Sequence, residues 1–296
     1  VLSVLKLVTL KMDDFQLKQR RLIQASEASW MTAPNLLEVY PVIRKCGRLY
    51  VPFSFLLNGA LTFHLLDRLT RDNLELRRRV GKEALESYEA YLFDCAGCYA
   101  KVKREHVYKG RDKTQVLTPD VIVEDNGYLL FVDSKSSEPG LGLRGLKGDA
   151  KQEAVRIYAD HFVKMCKRIK DVADGFDQSL KYERAHIFGI VTVFRDSNVE
   201  RAAVRAAGFA RMRGMTDMEI GYYTRHVFLF GLDQVELFCC YGVNLLPQLI
   251  ELSKQDESPN SIILDMEELK GRQFVPAVRA LMNSYAETFQ DGLFGF

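Results

Sequence analysis

The clearest pattern of hydrophobic and polar positions lies near the middle of the chain. Residues 118–125 (TPDVIVED) and 127–136 (GYLLFVDSKS) are two short runs rich in β-branched and aromatic residues, joined through Asn126-Gly127. Asn-Gly is the pair that a two-residue hairpin turn favours, because both positions of that turn require a positive φ. The pattern therefore predicts an antiparallel hairpin of two strands.

Helical periodicity and further strands surround this hairpin. Residues 13 to about 94 show a helical pattern that ends at Gly97, a residue suited to a helix C-terminus. A strand is predicted over 98–110, a long amphipathic helix from 150 to about 175, and a buried central strand in the apolar run 186–196. Helix, three strands, helix and strand in this order indicate an α/β fold around a mixed sheet.

The residues after 196 alternate between helical and strand-like patterns. We expect a basic helix at 198–212, a short acidic helix near Asp217, strands at 226–231 and 235–242, a helix at 246–254, a short strand at 261–265 and a final helix at 275–289. The chain is therefore divided into a helical N-terminal region (1–77), a core (78–196) and an α/β C-terminal extension (197–296) packed on that core.

The composition narrows the class of protein. The 296 residues are 47% hydrophobic and 27% charged, and the formal net charge is +2. This balance excludes a disordered chain and a protein that holds nucleic acid by bulk charge, but it allows a local basic groove. Six cysteines are too few for a disulfide scaffold, so we expect a reducing compartment, cytoplasmic or nuclear, rather than secretion.

Two features bear on processing and on membranes. The sequence starts at Val1 rather than Met, which fits a processed product or a piece of a longer protein. Residues 49–66 carry no Asp, Glu, Lys or Arg over about the length of a spanning helix, yet they contain Pro52, Asn58 and His64. A buried hairpin or strand-plus-helix is the better interpretation, and no membrane contact is expected.

The residues that carry chemistry lie on the predicted hairpin. Asp133 and Lys135 share one face of their strand, because side chains alternate with a period of two, and Asp120 starts the neighbouring strand. The hairpin can therefore bring two carboxylates together, which repel each other unless a cation lies between them. Hard oxygen ligands favour Mg²⁺ or Mn²⁺, and a lysine beside such an ion can position or deprotonate a water molecule.

This arrangement resembles the PD-(D/E)xK nuclease superfamily. The matching letters are Pro119-Asp120 and the triplet Asp133-Ser134-Lys135, and the elements over roughly 78–195 are similar in order to that family's core of helix, three strands, helix and strand. The resemblance implies a restriction-endonuclease-like fold and a metal-dependent endo- or exonuclease, with DNA as the expected substrate. It implies Asp120, Asp133 and the Ser134 carbonyl as ligands of Mg²⁺ or Mn²⁺, and Lys135 as the residue that acts on the water.

The family also takes a glutamate from the preceding helix, and three residues are candidates. Glu89 has apolar residues at helical spacing on both sides, so it lies on an apolar stripe, where a carboxylate is costly unless something binds it. Glu86 has charged neighbours typical of a solvated face, and Glu83 is intermediate. We therefore expect Glu89 to face the two aspartates as the third metal ligand, with Glu86, the second choice, exposed to solvent.

Further contacts are expected from the following helix and from the Gly-rich loop before it. Related nucleases often place a Gln or Lys there, facing the metal or the scissile phosphate, which makes Gln152 a supporting catalytic residue. The predicted nucleic-acid contacts are Arg144, Lys147, Lys151, Arg201 and Arg205. A homodimer or a larger complex is also open, because many such nucleases cut two strands as dimers.

The sequence gives weaker support to a zinc site and none to a serine hydrolase. Cys95-x-x-Cys98 with His106 nearby suggests zinc, but structural zinc needs four ligands and the next cysteines lie far along the chain. The Gly-x-Ser-x-Gly elbow of serine hydrolases does not occur. Two alternatives stay open: a catalytically silent nuclease-fold protein that binds nucleic acid or a protein partner, and an unrelated α/β interaction module.

Overall fold

A computed structural model describes most of the chain, and the described residues fall into two compact units. These residues are 9–25, 36–38, 40–53, 74–135, 148–193, 201–212, 214–255, 271–281 and 283–284. Those up to 79 and those at 148–154 belong to the first unit, and the rest belong to the second. The predicted strand at 261–265 and most of segment 49–66 lie outside them. No helix within these ranges is both long and apolar enough to cross a membrane.

The first unit contains a small three-stranded sheet. Its elements up to residue 79 are β1 (Thr9–Lys11), α1 (Met12–Ala25), a 3₁₀ turn (Leu36–Glu38), β2 (Val42–Lys45), β3 (Arg48–Tyr50) and α2 (Leu74–Arg79). β1 pairs in parallel with β2, and β2 forms an antiparallel hairpin with β3. The helical prediction for these residues is confirmed at α1 and α2 and wrong at 42–50, where β2 and β3 form. Cys46 and Gly47, with φ of 51° and 76°, form the two-residue turn that makes this hairpin.

The second unit is built on one five-stranded mixed sheet. Its elements are a π-helical segment (Val80–Glu86), α3 (Ser87–Ala96), β4 (Lys101–Arg104), β5 (Val107–Lys109), β6 (Gln115–Leu117), β7 (Val121–Asp125), β8 (Tyr128–Lys135), α4 (Gly148–Ala173, its first turns in the first unit), β9 (Ile187–Val193), α5 (Arg201–Arg211), α6 (Asp217–His226), β10 (Val227–Gly231), α7 (Leu232–Cys240) and α8 (Leu246–Ser253). The strand order is β10-β9-β8-β7-β4. β4, β7 and β8 pair antiparallel, whereas β8, β9 and β10 pair in parallel. The predicted α/β fold around a mixed sheet is confirmed.

The local signals at the centre of this sheet are also confirmed. Asn126 and Gly127, with φ of 48° and 81°, occupy the turn between β7 and β8. Gly97 ends α3 in the left-handed conformation, with φ of 65°. β9 is buried at every position, as its continuous apolar run indicates for a strand covered on both faces.

Helices cover both faces of the sheet. α3, α7 and α8 pack on the face that carries Leu130 and Val132. α4 covers the other face, where it approaches β9 so closely that a Cβ on Gly189 would lie 2.5 Å from the Cγ of Met165. Phe131 pairs with Gly189 and therefore points towards α4. Because side chains alternate along a strand, the Asp133 and Lys135 side chains lie on this α4 side as well.

Beyond β9 the chain continues the same sheet. β10 pairs in parallel with β9, so part of the predicted extension lies in the sheet of the core. The strand predicted at 235–242 is wrong, because most of these residues belong to α7. Leu232, Val235, Phe238 and Cys239 are buried there, and their spacing of three and four residues is helical, although their β-branched and aromatic content favoured a strand.

Candidate active site

The β7–β8 hairpin brings the predicted acids and the lysine into one cleft. Val121 of β7 pairs with Val132 of β8, so the preceding Asp120 lies opposite Asp133. Both acids and Lys135 line a cleft of about 290 Å³. The Lys135 Nζ lies 2.7 Å from the Asp133 Oδ2, and these two side chains are only 20% and 16% exposed. The Asp120 Oδ2 also accepts a hydrogen bond of 2.7 Å from the Ser134 backbone N–H, which fixes it relative to β8.

The preceding helical region contributes Glu86 rather than Glu89 to this cleft. Glu86 is half-buried and lines the cleft together with Asp120 and Asp133. The expectation that Glu86 would be exposed to solvent is wrong. Glu86 is the last residue of the π-helical segment, whose wider turns change the phase that a wheel of 3.6 residues per turn assumes. The side chain of Glu83, the third candidate, lies outside the described structure.

Glu89 lies in the interior, against the opposite face of β8. It is completely buried, and the Ser134 hydroxyl donates a hydrogen bond to its Oε2. Its Oε1 has no hydrogen-bond partner among the described residues. Burial raises the pKa of Glu89 to about 7, even though the nearby Ser134 and Thr192 hydroxyls act in the opposite direction. The predicted apolar stripe around Glu89 is confirmed, but this carboxyl faces Ser134 rather than the cleft.

Four acidic and four basic side chains line the cleft in the described part of the chain: Lys82, Glu86, Glu105, Asp120, Asp133, Lys135, Lys164 and Arg168. Sequence reasoning missed Glu105, whose carboxylate pairs with the Lys82 Nζ at 3.3 Å. The Glu105 N–H donates to the Asp120 carbonyl one position beyond the β4–β7 ladder, so a correct strand register would have placed these two residues side by side. Lys164 and Arg168 come from the middle of α4, where no motif marks them.

The pKa values of the cleft residues are shifted by burial and by the short distances between the carboxylates. Burial and then the Asp133 charge raise the pKa of Asp120 well above its ordinary range. Burial also raises the pKa of Glu86, and the charge of Glu105 adds to this shift. Burial opposes the ammonium of Lys135, but the charges of Asp133 and Asp120 outweigh it and raise the pKa of Lys135. Lys135 is therefore a stable cation near neutral pH.

The chemistry of this donor set fits a hard divalent cation. Glu86, Asp120 and Asp133 come from three separate elements and face one cleft. Mg²⁺ or Mn²⁺ would relieve the repulsion that raises the pKa of Asp120. In this structure the Lys135 ammonium supplies the positive charge beside Asp133. Within the described ranges, no three His, Cys, Asp or Glu side chains are already spaced to coordinate one ion.

The remaining predicted site residues are Gln152 and the five basic residues expected to contact nucleic acid, and the structure describes the side chains of two of them. Gln152 is exposed in the first turns of α4 and belongs to the first unit. Arg205 is half-buried on α5, near Cys166 of α4. The predicted side chains outside the described structure are those of Arg144, Lys147, Lys151 and Arg201. The roles assigned to all of these residues stay predictions.

Cys95, Cys98 and His106 are the residues that suggested a zinc site in the sequence. Cys95 and Cys98 are free, half-buried cysteines. The His106 Nε2 lies 2.7 Å from the Asp177 Oδ2 and 3.0 Å from the Ser179 hydroxyl. No zinc-ligand group containing them occurs in the part of the chain that the structure describes.

Comparisons of this chain with protein-family models, with curated proteins and with solved structures find no match. A functional assignment therefore rests on the residues of the cleft and on their geometry.

Proposed function

We propose that the cleft hydrolyses phosphodiester bonds of nucleic acid, with DNA as the expected substrate and Mg²⁺ or Mn²⁺ as cofactor. The observation that carries this proposal is the meeting of Glu86, Asp120, Asp133 and Lys135 in one cleft. Pro-Asp and Asp-x-Lys are short motifs that arise by chance in many proteins. A chance Asp-x-Lys on a sheet edge would be solvated, whereas this pair is mostly buried among further carboxylates.

The order of elements supports the same proposal. α3, β4, β7, β8, α4 and β9 follow one another as helix, three strands, helix and strand, which is the core order of the PD-(D/E)xK nucleases. The small β5–β6 hairpin is inserted between the first two of these strands. The two acids of the motif stand at the start of β7 and near the end of β8, on neighbouring strands.

Each charged group of the cleft has a role in this proposal. Asp120, Asp133 and Glu86 would hold the ion, with Glu86 in the place that we predicted for Glu89. When bound, the ion would supply positive charge that acidifies a water molecule and offsets the charge on the phosphate. The raised pKa of Lys135 comes from the charges of Asp133 and Asp120, which a bound ion would offset. We therefore assign Lys135 to positioning or deprotonating the water and to stabilising negative charge on the phosphoryl oxygens.

The test is incubation of the purified protein with linear, circular and single-stranded DNA and with RNA, each in Mg²⁺, in Mn²⁺ and in EDTA. We expect cleavage only with metal, and a loss of about 10²–10⁴-fold in rate for Lys135→Ala. Lys254→Ala, which removes a lysine 62% exposed, is the matched control and should cut like the wild type. Binding without cleavage in every condition would favour the catalytically silent alternative, and neither binding nor cleavage would refute the proposal.

A further inference from the structure

A second groove adjoins the cleft along α4. It has a volume of about 380 Å³ and lies between α4 and the β5–β6 hairpin. Arg168 lines both the cleft and this groove, so the two meet at its side chain. We call the cleft and the adjoining groove together the path.

One face of α4 presents basic residues along this path. Lys164, Lys167 and Arg168 are three and four residues apart, a spacing that places them on the same side of a helix. Lys164 and Lys167 are exposed, and neither forms an ion pair with another described residue. Lys170, one turn further on, is instead neutralised by Glu219 at 3.3 Å. Of Lys164, Lys167 and Lys170, the two without an ion pair among the described residues therefore line the cleft and the adjoining groove.

Two acidic side chains of α4 tie the β5–β6 hairpin to that helix, and Asp112 of the hairpin, whose carboxylate accepts a hydrogen bond from the Thr114 hydroxyl, also lines the groove. The Tyr108 hydroxyl donates to the Asp171 Oδ2 at 2.8 Å, which joins β5 to α4. Arg111, at the tip of the hairpin, pairs with Asp174 near the end of the same helix. These contacts hold the hairpin against α4, so the groove is formed without a ligand.

We propose that this groove carries one strand of nucleic acid and that Lys164, Lys167 and Arg168 bind its phosphates on one side of the scissile bond. The inference rests on the proposed function, because it takes the cleft as the place of cleavage. The carboxylates of the cleft repel a polyanion, so the strand needs positive contacts immediately beside them. Lys164 and Arg168 are about 6 Å apart along the helix axis, a distance similar to that between successive phosphates of one strand.

The test is the binding of a fluorescently labelled single-stranded oligonucleotide, DNA in one arm and RNA in the other, measured by anisotropy in EDTA over a range of salt concentrations. Loss of one phosphate contact on a single strand reduces the slope of log K against log salt by about 0.7, which is about fivefold weaker binding at 0.1 M salt. We expect this change for Lys164→Ala and for Lys167→Ala, and about 25-fold for the double variant. Lys254→Ala is the matched control and should bind like the wild type.

The outcomes separate this inference from the proposed function. Wild-type affinity and salt slope in Lys167→Ala would overturn the path even if the protein cuts nucleic acid. Binding that depends on Lys164 and Lys167 in a protein that never cuts would support the path and overturn the nuclease. A wild-type protein that binds neither DNA nor RNA in EDTA would overturn the path, whereas the cleavage assay with Mg²⁺ or Mn²⁺ decides on the nuclease. Circular dichroism and thermal melts of each variant show that a loss of binding is not a loss of folding.

Discussion

Replacement of Glu89 by glutamine is expected to stabilise the protein at high pH and to leave its stability nearly unchanged at low pH. The Glu89 carboxyl is completely buried, and its Oε1 lacks a hydrogen-bond partner among the described residues. Its charged form has therefore lost hydration without gaining an ion pair. Glutamine copies the shape of the protonated acid, and its amide can donate to the nearby Thr192 hydroxyl, which is also unpartnered there.

The size of the expected stability difference follows from the shifted pKa of Glu89. Burial raises the pKa of Glu89 in the folded protein from an ordinary value of 4.5 to about 7. Since one pH unit of difference corresponds to about 1.4 kcal/mol, ionisation removes about 3 kcal/mol of stability. The folded-state pKa is the higher one, so the protonated acid's contribution is complete below pH 4.5, declines as the pH rises, and is lost above about pH 7. The glutamine variant does not titrate and escapes this loss.

Urea unfolding followed by circular dichroism, in EDTA and between about pH 5 and pH 8, measures this difference. The free energy of unfolding of Glu89→Gln should exceed that of the wild type by less than about 1 kcal/mol at the low end and by about 3 kcal/mol at the high end. Titrating groups that do not interact with Glu89 cancel in the difference. Glu251→Gln, which changes a side chain 69% exposed and paired with Lys254, is the control and should stay within about 0.5 kcal/mol of the wild type throughout.

A Glu89→Gln protein that is less stable than the wild type at pH 8 would refute this reasoning. That result would mean that Glu89 is ionised and paired in the folded protein, as expected for a metal ligand. A difference that does not change with pH would also contradict it, because the Glu89 carboxyl would then titrate alike in the folded and unfolded chains.

Three further predictions concern the cleft and the sheet. Lys135→Ala should retain Mn²⁺ affinity in calorimetry while losing cleavage, because its ammonium offsets charge and is not a ligand; a parallel loss of Mn²⁺ binding would contradict this. Asp120→Asn and Glu86→Gln should each weaken Mn²⁺ binding by about 10-fold or more, and unchanged affinity in both would rule out the metal site. Gly189→Ala should lower the free energy of unfolding by about 2–3 kcal/mol in urea, because its Cβ would lie 2.5 Å from the Met165 Cγ; wild-type stability would show that α4 can shift away.

The hairpin at the centre of the site was predictable because local chemistry specifies it. Asn126 and Gly127 both adopt a positive φ, which sets the turn and with it the register of β7 against β8. Once that register is set, alternation places Asp133 and Lys135 on one face, and Asp120 falls opposite Asp133. The acids and lysine of the motif could therefore be placed together from the sequence.

The helical glutamate and the contacts from α4 could not be placed in this way. A wheel drawn at 3.6 residues per turn fails across Val80–Glu86, where the π-helical turn is wider, and nothing in the letters of that segment marks the change. The cleft residues Lys164 and Arg168 depend on where α4 crosses the sheet. That position follows from the close approach of Met165 to Gly189, a packing fact that hydrophobic periodicity does not contain.

Glu86 and Glu89 lie three residues apart, but their side chains lie on opposite faces of β8. Ser134 stands between Asp133 and Lys135, so its side chain must point away from the cleft, towards α3. There its hydroxyl is held by Glu89, while its backbone N–H holds Asp120. An interior carboxyl thus fixes the residue between the two cleft groups of β8. Since an ionised Glu89 costs about 3 kcal/mol above neutral pH, stability alone does not explain its presence. Its hydrogen bond to Ser134, the residue between Asp133 and Lys135, is the contact that links it to the cleft groups.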